Sequence, residues 1–184
     1  QYREAAPQLE LPVDNERPTI QSYDGGTVSF EIGKKKTGKL KQITQFAHPF
    51  PTLKDVEKQF IKYKREDGIE LNGNLYLPPG YKESDGPLPV LMWAYPREFK
   101  SKSAAGQVTN SPYRFIRLYW GSPILWITQG YAVFDNPKMP IVGEGDEEPN
   151  DTYVRQLVAS AKAAIDKLVE MGVADRKRAA VGGH

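Results

Sequence analysis

Cysteine is absent from this sequence of 184 residues. Its absence excludes a disulfide framework, a cysteine-ligated zinc site and a thiol nucleophile. Histidine is scarce: His48 lies in a proline-punctuated stretch that offers no visible partners for metal binding or base catalysis, and His184 is the last residue. We therefore expect no metal and no cofactor.

A large net charge is also missing, since the sequence has 25 basic and 23 acidic residues. The sequence thus lacks the basic face that nucleic acids require. The lysine run 34–36 is interpreted as a solvated turn between two strands. No apolar stretch approaches the roughly 20 residues of a membrane span, so neither nucleic acid nor membrane is an expected partner.

Neither end of the given sequence has the pattern of a targeting signal. It begins with Gln1 rather than methionine, shows no signal-peptide layout, and stops directly after a short apolar run. We interpret the chain as an internal segment of a longer polypeptide. The remainder of that polypeptide is then an expected partner, and the compartment stays open.

Residues 1–53 have the pattern of β structure. The stretch TVSFEI (27–32) alternates apolar and polar residues, and LKQITQF (40–46) returns after a polar turn. Because two or three such strands are not stable alone, they are predicted to belong to a larger array. The last strands of a β-propeller fit this pattern.

From residue 54 onward the pattern changes to α/β. A hairpin around Asp67–Gly68 is predicted within 59–81, stopped by a Pro-Pro-Gly stretch. Apolar runs at 88–95 and 131–136 predict strands that are buried on both faces, as in a parallel sheet.

Apolar residues then recur every three or four positions from 151 to 171, which predicts an amphipathic helix. Asn150 or Asp151 is expected to cap its start, and Gly172 suits its end. A short strand, AAVGG (179–183), follows. Residues 54–184 therefore predict a doubly wound, mostly parallel sheet.

The strand that ends in Gly182, Gly183 and His184 matches the first half of a nucleophile elbow. In that motif, G-x-S-x-G, a serine stands on a tight strand-to-helix turn flanked by glycines. From these residues alone the interpretation stays open, because paired glycines after a strand also occur in plain loops and phosphate-binding turns.

Several stretches in order, among them YLPPGY, LPVLMWAYPREFKSKSAAGQV and AAVGGH, resemble the prolyl oligopeptidase family of serine peptidases. Within it they look most like the glutamyl endopeptidase group, over about residues 40–184. The resemblance implies the end of a β-propeller domain with a linker (1–53), followed by the N-terminal part of an α/β-hydrolase domain (54–184). It also implies a nucleophilic serine directly after His184, with the triad aspartate and histidine further on.

The same resemblance implies roles for individual residues. Tyr95 corresponds to a tyrosine that donates its hydroxyl to the oxyanion of the tetrahedral intermediate. Gly182, Gly183 and His184 form the elbow, where His184 is structural because a neighbour of the nucleophile on a sharp turn points away from it.

Two loop residues are candidates for substrate binding, Arg97 after Tyr95 and Glu144 in the acidic stretch GEGDEEPND (143–151). Many members of the wider family carry a basic Arg-Gly turn in that stretch, so its acidity is a departure. The alternative is a solvated loop whose last acids complement the dipole of the following helix.

The expected function is that of a serine peptidase which cleaves short peptides through an acyl-enzyme, with cleavage after glutamate as the implied preference. Two alternatives stay open, an esterase with the same fold and an inactive hydrolase-like scaffold. The isolated segment is expected to be inactive and to aggregate. The sequence itself leaves the compartment open, and the resemblance implies either the chloroplast stroma or the bacterial periplasm or exterior.

Overall fold

The computed structural model describes the following residues: 19–24, 27–31, 41–42, 50–53, 55–56, 58–109, 116, 118–146 and 148–183. His48, His184 and the lysine run 34–36 lie outside them. The chain divides into two compact units, residues 1–55 with 113–117, and residues 56–112 with 118–184.

The described strands of the first unit form one antiparallel sheet. They are β1 (Thr19–Asp24), β2 (Thr27–Glu31) and β3 (Lys41–Gln42), hydrogen-bonded in the order β1-β2-β3. Strands β2 and β3 fall within the two stretches that the alternating pattern predicts as strands. Their membership of a propeller stays a prediction.

The second unit contains the α/β structure that carries the candidate site. Its described strands are β4 (Lys58–Lys64), β5 (Glu70–Tyr76), β6 (Leu88–Trp93), β7 (Pro96–Phe99), β8 (Ala132–Asp135), β9 (Met139–Val142) and β10 (Ala174–Gly182). Its described helices are α1 (Lys102–Gly106) and α2 (Tyr153–Glu170). Short 3-10 helices precede β8 at Pro123–Gln129 and α2 at Pro149–Thr152.

Five strands form a mixed sheet in the order β10-β6-β8-β5-β4. Strands β10, β6 and β8 run parallel, whereas β5 is antiparallel to both β8 and β4. The prediction of a mostly parallel sheet is therefore confirmed for β10, β6 and β8, but it was wrong for the β4–β5 end of the sheet. The reason is the predicted hairpin, because Gly68, with φ of 87°, closes a tight turn, and a tight turn joins only antiparallel strands.

Helix α2 confirms the predicted amphipathic helix, with a later start. Its capping residue is Thr152, which makes no side-chain capping bond, so the prediction of Asn150 or Asp151 as the cap was wrong. Both residues belong instead to the preceding 3-10 turn. At the other end Gly172, with φ of 74°, turns the chain out of the helix as predicted.

The core lies between α2 and one face of the mixed sheet. Val90, Met92 and Phe134 pack there with Ala164 and Leu168 of α2. The neighbouring positions of β6 point to the opposite face and are only half-buried. The expectation of burial on both faces was therefore wrong for β6, whose positions opposite the helix are only half-buried. It is confirmed for β8, whose first three residues are all buried and against which the 3-10 helix at Pro123–Gln129 packs.

Within the part of the chain that the structure describes, no helix combines the length and the hydropathy needed to cross a bilayer.

Candidate active site

The topology of the mixed sheet indicates where a ligand binds. From β6 the chain passes to β8 on one side, and then crosses over β6 to reach β10 on the other side. The strand order therefore reverses between β6 and β10. In open α/β sheets ligands bind in the crevice outside the carboxyl ends of the strands at such a switch point.

The residues that follow β6 and β10 meet at this crevice. Trp93 is paired with Gly182, and the Ala94 N–H donates to the Gly182 carbonyl at 3.0 Å. Tyr95 follows Ala94 in the segment after β6, and Gly183 follows Gly182 at the end of β10. The structure thus brings together three of the residues that the resemblance singled out: Tyr95, Gly182 and Gly183.

Both glycines are required by close packing. A methyl group at Gly182 would lie 2.5 Å from ring carbons of Trp93, and one at Gly183 would lie 2.6 Å from the Ala94 carbonyl oxygen. Such distances are far inside van der Waals contact, so a side chain at either position would push the two strands apart. The glycine pair therefore sets how closely the end of β10 approaches the segment that carries Tyr95.

Tyr95 stands where a bound molecule can reach it. Its exposed fraction is 36%, and it directly follows a strand held in the middle of the sheet. A phenol is a neutral hydrogen-bond donor at physiological pH. At this position it can stabilise negative charge that develops on a ligand in the crevice.

A third strand contributes residues that the sequence interpretation missed. Asn136 follows β8, adopts φ of 52°, and donates its N–H to the Trp93 carbonyl at 2.8 Å. Asp135 is paired with Trp93, and burial raises the pKa of its carboxyl to about 6. The sequence signal was present, because polar residues that end an apolar parallel strand lie at the ligand edge of the sheet.

The raised pKa of Asp135 predicts a pH effect on stability. Between about pH 4 and 6 the folded state holds a proton that the unfolded chain releases, so stability falls as pH rises through this window. At about 1.4 kcal/mol per pKa unit, the loss is at most about 3 kcal/mol. In thermal melts Asp135→Asn should therefore gain Tm relative to the unsubstituted protein at pH 7.5 but not at pH 4.

Asp175→Asn is the control, because the pKa of Asp175 is shifted in the opposite direction from that of Asp135. The hydrogen bond from Arg178 lowers the pKa of Asp175, so this variant should lose rather than gain stability at neutral pH. A Tm difference between the Asp135→Asn variant and the unsubstituted protein that is the same at both pH values would show that Asp135 is not the titrating group.

The two predicted substrate-binding residues are placed differently from Tyr95. Exposed Arg97 lies on β7, which pairs in parallel with β9. The carboxylate of Glu144 accepts the backbone N–H of Lys102 at 2.8 Å, at the start of α1. Glu144 also lines a polar cleft of about 520 Å³ that includes Arg155 but neither Tyr95 nor Gly183. The structure therefore does not bring Glu144 together with the residues at the switch point.

Arg65 follows β4, at the opposite end of the sheet from β10, and it links three elements. It is only 3% exposed. Its guanidinium binds both carboxylate oxygens of Asp67, at 2.9 and 2.8 Å. It also donates to the Pro140 carbonyl and to Ser160 Oγ, each at 2.9 Å. The hairpin, β9 and α2 are thus fastened together, and β9 pairs with β7, which begins directly after Tyr95.

Gln156 extends the same network. Its side chain accepts from Arg65 Nη2 at 3.0 Å and makes two bonds to the backbone of Val142, at 2.9 and 2.8 Å. Among the residues described, no group of three or more histidine, cysteine, aspartate or glutamate side chains is arranged to hold a metal ion.

The fold defines an α/β unit in which partly exposed Tyr95 and a tightly packed pair of glycines follow two adjacent parallel strands at the switch point of the sheet. No family model matches the chain. Over 147 residues it is 56% identical to a protein of Arabidopsis thaliana named "Probable glutamyl endopeptidase, chloroplastic", covering 79% of this chain and 15% of that protein. The protein of the same name from Oryza sativa subsp. japonica is 55% identical over 147 residues, covering 79% of this chain and 16% of that protein.

A solved structure, a post-proline cleaving enzyme from Rickettsia typhi, aligns with a TM-score of 0.47 and 19% identity, over 94% of this chain and 25% of that one. The family relationship rests on the two sequence relatives and not on this structural match. This chain is a homologue of a segment of the glutamyl endopeptidases, which confirms the resemblance found in its motifs. It spans about one sixth of the length of these curated relatives.

Proposed function

We propose that this chain is part of a serine peptidase in which Tyr95 stabilises the oxyanion of the tetrahedral intermediate. The observation that carries the proposal is the hydrogen bond from the Ala94 N–H to the Gly182 carbonyl, at 3.0 Å. It brings the Tyr95 segment next to Gly183, the last residue that the structure describes, and the proposal is that a turn with the nucleophile follows directly. A nucleophile on that turn would attack a carbonyl whose oxygen lies within reach of the tyrosine.

In this proposal a serine follows His184. Its Oγ attacks the carbonyl carbon of the scissile bond, and a histidine from the rest of the polypeptide takes the proton. The C–N bond then breaks, the amine leaves with that proton, and water hydrolyses the acyl-enzyme. Tyr95 and the backbone N–H that follows the serine are the two donors to the oxyanion. His184 itself is not the base, because it adjoins the nucleophile.

The proposed substrates are short peptides cut after glutamate. Support comes from the names of the two relatives and from the position of Arg97, an exposed cation two residues after Tyr95. A guanidinium binds a carboxylate through two parallel hydrogen bonds, so Arg97 suits a glutamate side chain. Residues 1–53 are proposed to belong to a propeller that limits substrate size.

A substrate panel tests this function on the full-length polypeptide that contains the chain. Matched fluorogenic peptides carry glutamate, glutamine or proline before the scissile bond, and a glutamyl methyl ester is assayed beside them. We expect kcat/KM to be highest for the glutamate peptide. Cleavage of the ester alone would favour the esterase alternative, and no turnover of any substrate would favour the inactive scaffold.

A further inference from the structure

Asn136 has a backbone conformation that no other non-glycine residue in the described part of the chain adopts. Its φ is 52°, in the left-handed region. Each of the six other described positions with positive φ is a glycine. Glycine enters this region without steric cost, whereas asparagine is only tolerated there. The fold by itself therefore favours glycine at position 136.

The backbone around Asn136 is fixed on both sides. Its N–H donates to the Trp93 carbonyl at 2.8 Å, Pro137 is fully buried, and the Lys138 N–H donates to the Asn72 carbonyl at 2.9 Å. These contacts hold the backbone on both sides of Asn136, and none of them involves its side chain.

The side-chain amide of Asn136 has no structural use within the described residues. It makes no hydrogen bond there, and the residue is exposed. A conformationally unfavourable residue whose side chain faces solvent beside a ligand crevice is a reason to infer a function for that side chain.

We propose that the Asn136 side chain binds the backbone of the peptide substrate. An amide offers one acceptor and two donor hydrogens, which complement the N–H and C=O of a peptide unit. Asn136 lies on the other side of β6 from Gly183, one hydrogen bond from the strand that leads to Tyr95. The inference rests on the proposed function and names the group that would hold the peptide next to the oxyanion donor.

The variant Asn136→Gly tests this role, because it removes the amide and suits the backbone conformation better. In the full-length protein we expect its Tm to be unchanged or higher, while kcat/KM for the peptide falls about tenfold, mainly through KM. A minimal glutamyl ester without a neighbouring peptide unit should be hydrolysed at the unsubstituted rate. Asn136→Ala should show the same loss with peptide, together with a lower Tm.

Unchanged kcat/KM of Asn136→Gly with the peptide would overturn the inference, as would an equal loss with peptide and ester. Tyr95→Phe, assayed in parallel, separates this failure from that of the proposed function. If Tyr95→Phe is impaired while Asn136→Gly is fully active, only the role of Asn136 is refuted. If Tyr95→Phe retains full activity, the oxyanion proposal itself fails.

Discussion

Tyr95→Phe should lower kcat of the full-length protein by about 10²–10³-fold, the loss typical of removing one oxyanion donor. In the proposed mechanism the phenol donates its hydrogen bond to charge that exists only in the transition state, so KM should change little. The fold should tolerate the change, since only the hydroxyl is removed and the residue is partly exposed. Steady-state kinetics with a glutamate peptide, together with a thermal melt, measures both quantities.

Tyr119→Phe is the matched control. Tyr119 is exposed and lies outside the strands that form the crevice, so the same loss of a hydroxyl should leave kcat and KM unchanged. A rise in KM at constant kcat for Tyr95→Phe would contradict the oxyanion role and indicate ordinary substrate binding instead.

Arg65→Ala should destabilise the protein by about 3 kcal/mol. The variant leaves the Pro140 carbonyl and Ser160 Oγ without their buried donor and removes both bonds to Asp67. Unpaired buried polar groups cost about 1–3 kcal/mol each, and the space left by the side chain adds to this. Urea unfolding of the full-length protein, followed by tryptophan fluorescence, measures the shift of the transition to which this unit contributes.

Arg65→Lys should recover only part of the lost stability, because an ammonium cannot bind both oxygens of Asp67 while reaching Pro140 and Ser160. Arg155→Ala removes an exposed guanidinium from the first turns of α2 and should change stability by no more than about 0.5 kcal/mol. Equal effects of Arg65→Ala and Arg155→Ala would contradict the assignment of Arg65 as the buried link between hairpin, β9 and α2.

Local patterns predicted those parts of the fold that depend on periodicity and turn chemistry. Helix α2 followed from its apolar spacing, and the β4–β5 hairpin followed from Asp67–Gly68 between two alternating stretches. These signals lie within a few residues of one another along the chain. They are therefore visible without knowledge of what packs against them.

The parts that escaped prediction depend on distant contacts. Strands β7 and β9 each contain a proline and are four residues long, so only their pairing with each other makes them strands. Arg65 stands in a charged stretch that resembles a solvated turn, and its burial results from groups 75 to 95 positions away. The unusual φ of Asn136 likewise arises from backbone contacts with β6 and β5 rather than from its neighbours in sequence.

The candidate site was predictable from motif resemblance for Tyr95, Gly182 and Gly183, and the topology gives an independent physical reason for their meeting. Asp135 and Asn136 were not predicted as site residues, because the apolar run that contains them was interpreted only as a buried strand and not as a strand whose carboxyl end lies at the ligand edge. Glu144 was selected for its charge, whereas the structure uses that charge at the start of α1.

The central claim is that the turn after β10 carries a serine nucleophile next to Tyr95. Labelling of the full-length protein with a fluorophosphonate, followed by peptide mapping in a mass spectrometer, tests it most directly. The account predicts a single stoichiometric adduct on a serine immediately after His184, together with loss of peptidase activity. An adduct on another residue, or full inactivation without any adduct in that peptide, would contradict it.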